Sequence, residues 1–484
     1  MRKRMIGVLF CVSLLLTACG KSGTDKETTP TPEPTQGVQT SEMTPAVTTE
    51  AVTPTPNLRD LKGIQVTVAD WWSDDTWNVP VNAYQTACMD ELEAAEEAYH
   101  FTLTRKNPGY AYEEYASKIA ESVRKNEPAG SVIAADLSMV GTLLRDGILR
   151  DVSEAVVDFT NDKWNDHNPA TKMLRINDRQ YGFAAGNNAA GLGVFFNKDV
   201  LREHGINPDD LYDMQKKSLV KNIRDEIDES THWSWDGLLR LCESLSEDAD
   251  GDGVADAPVI LSDERILVYG ALLSNGTFVI RQDESGFLYE NADDPTAAEA
   301  LTFVQMLKEK GYLLTDADDI AAFAEGHLAL MIAEEGRGNM RLSETDTDYG
   351  FLTFPYGPQI GKTVSIVLND TFYFIPDCEA TKDTTDDILF AYDCYTEQPL
   401  CFGEDDPHWK ADYDWKFKDE RAVDETIRYM IKEAPIYVNP VCLLSDFSDA
   451  WVSEILSGQN VLDVLNAHKA EWQQQANDFN KMFL

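Results

Sequence analysis

Between residues 64 and 135 the sequence switches repeatedly between two hydrophobic periods, and this limits the fold more than any other feature. Ile64 to Ala69 alternates and is β-branched, which predicts a strand. Tyr84, Ala87, Cys88, Leu92, Ala95 and Tyr99 then recur at helical spacing. Phe101 to Leu103 predicts a second strand, Tyr112, Tyr115, Ala116, Ile119 and Val123 a second helix ending before Pro128, and Ser131 to Ala135 a third strand. Parallel strands need long crossovers, usually helices, so this order predicts a parallel sheet wrapped by helices, an α/β fold. Ser234 reads as an N-cap for a helix with Trp235, Leu238, Leu239, Cys242 and Leu245 on one face. Val461, Val464, Leu465, His468, Trp472, Ala476 and Phe479 form a long late stripe. The aromatics in these stripes are expected in the core.

The first residues set the compartment. Arg2, Lys3 and Arg4 precede an apolar run from Met5 to Leu16. That run falls short of the ~20 residues a bilayer span needs, so it predicts an export signal, residues 1–18. Leu16-Thr17-Ala18-Cys19 resembles the lipobox of bacterial lipoproteins, in which the cysteine becomes lipidated. Residues 19–57 are then Cys19 and a Thr/Pro-rich linker that cannot bury enough surface to fold. The expected location is the outer face of the cell membrane, held by the lipid anchor alone. Export permits disulfides. Cys88 and Cys242 nonetheless sit on apolar helix faces, so mostly free thiols are expected, with Cys378, Cys394 and Cys401 the group to check.

Asp and Glu number 84 against 41 Lys and Arg, a formal charge of −43. Backbone binding to nucleic acid needs clustered cations, so nucleic acid is excluded as a partner. Hydrophobic residues make up 43%, enough for cores and too many for a wholly disordered chain.

Four stretches in order carry a resemblance. They are SVIAADLSMVGTLLRDGILRDVSE (Ser131–Glu154), DRQYGFAAGNNAAGLGVFFNKDVLREHGI (Asp178–Ile206), THWSWDGLLRLCESL (Thr231–Leu245) and FAEGHLALMIAEEG (Phe323–Gly336). Together they resemble the extracellular solute-binding proteins of ABC importers, the family that includes maltose-binding protein. The resemblance implies a type II periplasmic-binding-protein-like fold of two lobes, each a mainly parallel sheet flanked by helices, with a hinge between. It places a first lobe at 60–186 and 358–403, and a second at 187–357 and 404–484. It implies a monomer that binds a solute between its lobes, passes it to permease subunits, and has no catalytic residues. An oligosaccharide is the leading ligand. A peptide or organic anion, and a secreted carbohydrate-active enzyme, stay as alternatives.

Ligands of open α/β sheets lie beyond the carboxyl ends of the strands. WWSDDTW follows the first strand, so Trp71, Trp72 and Trp77 are candidates to stack on sugar rings, and Asp74 and Asp75 to accept from hydroxyls. The family's crossover adds Asn187 and Asn188, and the segment after its "AM" strand adds Glu335 and Arg337. An arginine at 337, where many sugar-binding relatives carry an aromatic, fits an anion. Tyr356 lies in the second crossover, and Trp409 in the stretch EDDPHWKADYDW. Separately, DADGDGVADAP places Asp248, Asp250, Asp252, the Val254 carbonyl and Asp256 at ligand positions of a calcium loop, with Gly253 at the sharp turn. Val259 occupies the last position, where a bidentate Glu belongs, and Asp263 or Glu264 is expected to substitute. No cofactor is required, and a calcium ion here would be structural. GPQIGKT imitates a phosphate loop with its glycines one residue too close, and G-x-S-x-G and H-E-x-x-H are absent from the sequence.

Overall fold

A computed structural model describes residues 59–165, 169–185, 190–219, 231–315, 320–402 and 407–484. All belong to the unit Leu58–Leu484. Cys19 and the predicted signal and linker lie outside the described residues, as do Asn187 and Asn188.

The first predicted strands and helices form as their periods dictate. Strand β1 (Ile64–Ala69) pairs in parallel with β2 (Phe101–Lys106) on one side and β3 (Val132–Asp136) on the other. The connecting helices are Ala83–Tyr99, capped by the Asn82 side chain, and Tyr112–Arg124. The sheet buries both faces. Val66 and Val68 enter one apolar cluster and Ala69 the other, as side chains alternate across a strand.

The second sheet is built from β4 (Leu192–Asn197), β5 (Ile260–Ser262), β6 (Leu313–Leu314), β7 (Leu330–Glu334) and β8 (Tyr349–Thr353), in the order β6-β5-β7-β4-β8. β5 runs parallel to β6 and β7, whereas β4 runs against both β7 and β8. This sheet is therefore mixed rather than mainly parallel. The chain returns to the first sheet as β9 (Thr371–Phe374), antiparallel to β3.

Two crossovers join the sheets. The first runs from Phe183, bridged to Tyr373, to β4. The second runs from β8 through Ser365–Val367 to β9. They touch where Gly191 meets Ile366: a Cβ on Gly191 would sit 1.9 Å from the Ile366 carbonyl oxygen, so only glycine lets the two backbones pass.

Of the aromatics expected in the core, Tyr115, Trp235, Trp472 and Phe479 are buried, Tyr84 and Tyr99 are half-buried, and Tyr112 is exposed. Ser234 caps the helix Trp235–Leu245 through the Gly237 N–H, and Trp235 stacks on Phe303 at 4.3 Å. Trp472, on the helix Val461–Lys481, is buried against Trp451.

Candidate ligand-binding site

Asp70 follows β1 directly and is fully buried. Its carboxylate accepts from the Trp72 N–H at 3.0 Å, the Ser73 N–H at 2.6 Å and the Ser73 hydroxyl at 2.7 Å. Arg105 of β2 donates to the same group through Nε at 3.0 Å and Nη2 at 2.7 Å. A buried carboxylate is tolerated when paired and saturated with donors, and this one is. The turn after β1 is thereby fixed. The Arg105 guanidinium also lies 5.5 Å from the centre of the Trp72 ring and holds that ring from behind. Trp72 keeps 45% of its surface exposed.

Around Trp72 lies an aromatic group. Half-buried Trp71 packs edge-on to Trp72 at 4.6 Å, to Tyr115 at 5.2 Å and to Tyr112 at 5.8 Å. Exposed Tyr112 donates its hydroxyl to Asp136, the last residue of β3. Asp136 caps the helix Leu137–Arg145 through the Ser138 N–H and accepts from Asn369 Nδ2 at 2.7 Å. Tyr112 and Trp72 are amphipathic rings at adjoining strand ends, suited to the C–H faces and hydroxyls of a sugar.

The second sheet contributes the end of β7. Burial raises the Glu334 pKa; Arg265 and Arg337 oppose the rise and the Asp136 charge adds to it. The end of β3 contacts the second crossover, through Asp136 and Asn369. Glu335 is also buried, accepts from Asn339 at 2.5 Å and lies 3.5 Å from Lys416 Nζ. Burial raises its pKa, and Lys416 and the Asn339 bond hold the rise back. Tyr413 is buried with Lys416 Nζ 4.8 Å from its ring centre; burial first, then the Glu335 charge, raises its pKa. The pKa of Tyr373 is pushed up to about 12, mainly by burial and against the Arg105 charge.

The structure gathers some of the sequence candidates and separates others. Trp71 and Trp72 lie at the end of β1. Glu335, exposed Arg337 and buried Trp409, whose ring meets Tyr413 at 6.2 Å, lie at the other side. Asp74 does not join them: it is exposed and closes its own turn by accepting from the Thr76 hydroxyl at 2.6 Å and N–H at 2.8 Å. Asp75 is exposed in that turn. Trp77 packs on the apolar cluster of Val66 and Val68, away from the cluster that takes Trp71. Tyr356 is buried in another place, because its backbone bridges Ser234; it lines a cavity of about 350 Å³ with Trp235 and Phe303. A larger cavity, about 570 Å³, lies between Pro169–Gln180, Phe278–Gly286 and Ile436–Pro440 and contains none of the candidates. Sequence reasoning missed Asp70, Arg105, Tyr112, Asp136, Tyr413 and Lys416. Tyr112 was assigned to a buried helix face, yet the Gly109 turn just before it marks a helix start where a ring can face solvent.

The acidic loop brings one carboxylate oxygen each from Asp248, Asp250 and Asp252 within 4.8 Å of one another. Gly253 has φ +88°, the left-handed turn that its position requires. Hard oxygens at this spacing fit a calcium ion. Asp256 instead accepts from the Ala249 N–H, and Val254 is exposed. The expected substitutes for the last ligand are engaged elsewhere: Asp263 caps a helix through the Ile266 N–H, and Glu264 accepts from the Ser453 hydroxyl.

Residues 91–389, well over half of the chain, match the sequence model of a family described as bacterial extracellular solute-binding protein. A comparison with curated proteins gives no match. Solved structures share the fold. The cyclic α-maltosyl-1,6-maltose binding protein of Arthrobacter globiformis is 18% identical, with a TM-score of 0.56 over 87% of this chain and 99% of that one. UspC of M. tuberculosis is 16% identical, with a TM-score of 0.52 over 86% and 100%. An extracellular solute-binding protein of Staphylococcus aureus, solved with maltose, is 12% identical, with a TM-score of 0.52 over 87% and 99%. These are two-lobed periplasmic-binding-protein-like structures, and among the described residues of this chain no helix is long and apolar enough to cross a membrane. The match over residues 91–389 and the shared two-lobed fold make this chain a member of the bacterial extracellular solute-binding proteins.

Proposed function

We propose that the protein captures an oligosaccharide between two lobes, 60–186 with 358–403 and 187–357 with 404–484, and delivers it to the permease of an ABC importer. The observation that carries this is the Trp72 ring, backed by the Asp70–Arg105 pair and packed on Trp71, whose ring also meets Tyr112. Glu334 and Glu335, at the end of β7, supply acceptors for hydroxyls. The relatives solved with or named for maltose-type sugars support the ligand class. In this reading the chain acts as a monomer, Cys19 carries the lipid anchor, and a calcium ion stiffens the Asp248–Asp252 loop.

Calorimetry with maltooligosaccharides tests the ligand. Trp72→Ala should weaken binding by about 2 kcal/mol, roughly 30-fold in Kd. Absence of heat with every neutral saccharide would refute the sugar reading. The exposed Arg337, on the helix that Glu334 precedes, favours an organic anion or a peptide as the second reading, and heat with those alone would establish it. Release of shortened products on incubation with glycans would instead make the protein an enzyme.

A further inference from the structure

On the helix Ala83–Tyr99, the residues Tyr84, Cys88 and Glu91 are spaced to share one face. The two outer members of this row both hold the segment around Cys401. Glu91 Oε1 accepts the Leu400 N–H at 3.0 Å. Tyr84 packs edge-on to Phe402 at 5.2 Å and stacks on His408 at 3.8 Å, with the ring planes 6° apart. Leu400 and Phe402 flank Cys401 in sequence; Glu91 and Tyr84 flank Cys88, about one helical turn away on either side. The contacts on both sides therefore set the two cysteines opposite each other.

The surroundings agree. Burial raises the Cys88 pKa, and the Glu91 charge and the Cys401 thiol add to the rise. Cys88 is half-buried and Cys401 exposed, and both are thiols in the structure. Three of the other cysteines have different settings. Cys242 is fully buried, Cys442 packs on the Met173 sulfur at 3.6 Å, and Cys378 contacts the Thr381 hydroxyl at 3.7 Å.

We propose that Cys88 and Cys401 close into a disulfide after export. One S–S bond forms and two S–H bonds break. The two electrons and two protons pass to an exported thiol–disulfide oxidoreductase, whose own S–S bond breaks to give its dithiol. The link ties a helix of the first sheet to the segment that continues into Trp409 and Tyr413, beside Glu335. It fastens that segment where it approaches the candidate site, and the exposed Cys401 sulfur leaves it open to reductant.

The test uses the full chain, exported through a bacterial envelope and purified without reductant. Thiols are titrated in guanidinium with and without prior reduction, and unreduced peptides are mapped. Reduction should release two further thiols, whatever the state of Cys19, which counts equally in both samples. Mapping should give one linked pair, the peptides of Cys88 and Cys401. Cys88→Ser and Cys401→Ser should each abolish the release, while Cys378→Ser and Cys394→Ser keep it. No release from the parent chain, or a linked pair other than Cys88 with Cys401, overturns the proposal.

Discussion

Asp70→Ala is the sharpest test of how the site is held. Asp70 is 0% exposed and accepts five hydrogen bonds, three from the Trp72–Ser73 turn and two from Arg105. Alanine removes them all. The Arg105 guanidinium, with its side chain only 18% exposed, is then left without its carboxylate. Breaking a buried pair from one side costs about 3–5 kcal/mol, because the remaining charge stays desolvated. The turn bonds overlap with that figure, so the expected loss is about 4 kcal/mol. Asp70→Asn keeps one oxygen for the two turn N–H groups but sets an NH2 against the Arg105 donors; about 2–3 kcal/mol is expected. Arg105→Met leaves the carboxylate its three local donors and should cost about the same. Because the two residues act on one bond set, Asp70→Asn with Arg105→Met together should cost less than the sum of the two. Urea unfolding followed by tryptophan fluorescence measures all four proteins. A loss below about 1 kcal/mol for Asp70→Ala, or strict additivity in the double variant, would refute the pairing as the element that fixes the turn. Arg105→Met should also weaken saccharide binding, since Trp72 loses the cation behind its ring.

Three further outcomes are expected. Gly191→Ala drives a Cβ to 1.9 Å from the Ile366 carbonyl oxygen, and the atoms it meets are backbone, so the crossovers must part. The melt should shift down by the equivalent of about 1–3 kcal/mol, and an unchanged melting temperature would show that the crossovers do not constrain each other. Glu335 has a folded pKa raised above its usual 4.5 by burial, so the folded state binds its proton more tightly than the unfolded chain does. Its contribution is full below 4.5 and is lost as pH rises through the folded value. Glu335→Gln cannot ionise, so its stability relative to the parent should improve across that rise. A pH-independent difference between the two would contradict this. For the acidic loop, calcium should raise the melting temperature and EDTA reverse it, and Asp250→Asn should blunt both; a melt indifferent to calcium rejects the ion.

The predicted strands and helices from Ile64 to Ala135 form because strand and helix periods are local: each is set by residues a turn or a pleat apart. The cap at Ser234 and the stripe from Val461 form for the same reason. The direction of β4 was not legible. Its run of buried residues has no sign, and only the crossover that delivers it makes it antiparallel to β7. The site divides along the same line. Trp72 could be picked out because an aromatic pair directly follows a strand. Asp70, its immediate support, could not: beside two tryptophans and two exposed acids it reads as another solvated carboxylate until β2 brings Arg105 against it. Asp136 needs Asn369, 233 residues away, before it is anything but a helix cap. Tyr356 shows the converse. It sits in a crossover, as a ligand contact would, and its bridge to Ser234 takes it into the flank of the second sheet. Residue type thus indicates which groups can meet a ligand, whereas pairings between distant segments decide which of them do. That is why the supports of the site are more informative to mutate than its exposed rings. Losing Trp72 removes one contact, but losing Asp70 removes the geometry that makes the contact available.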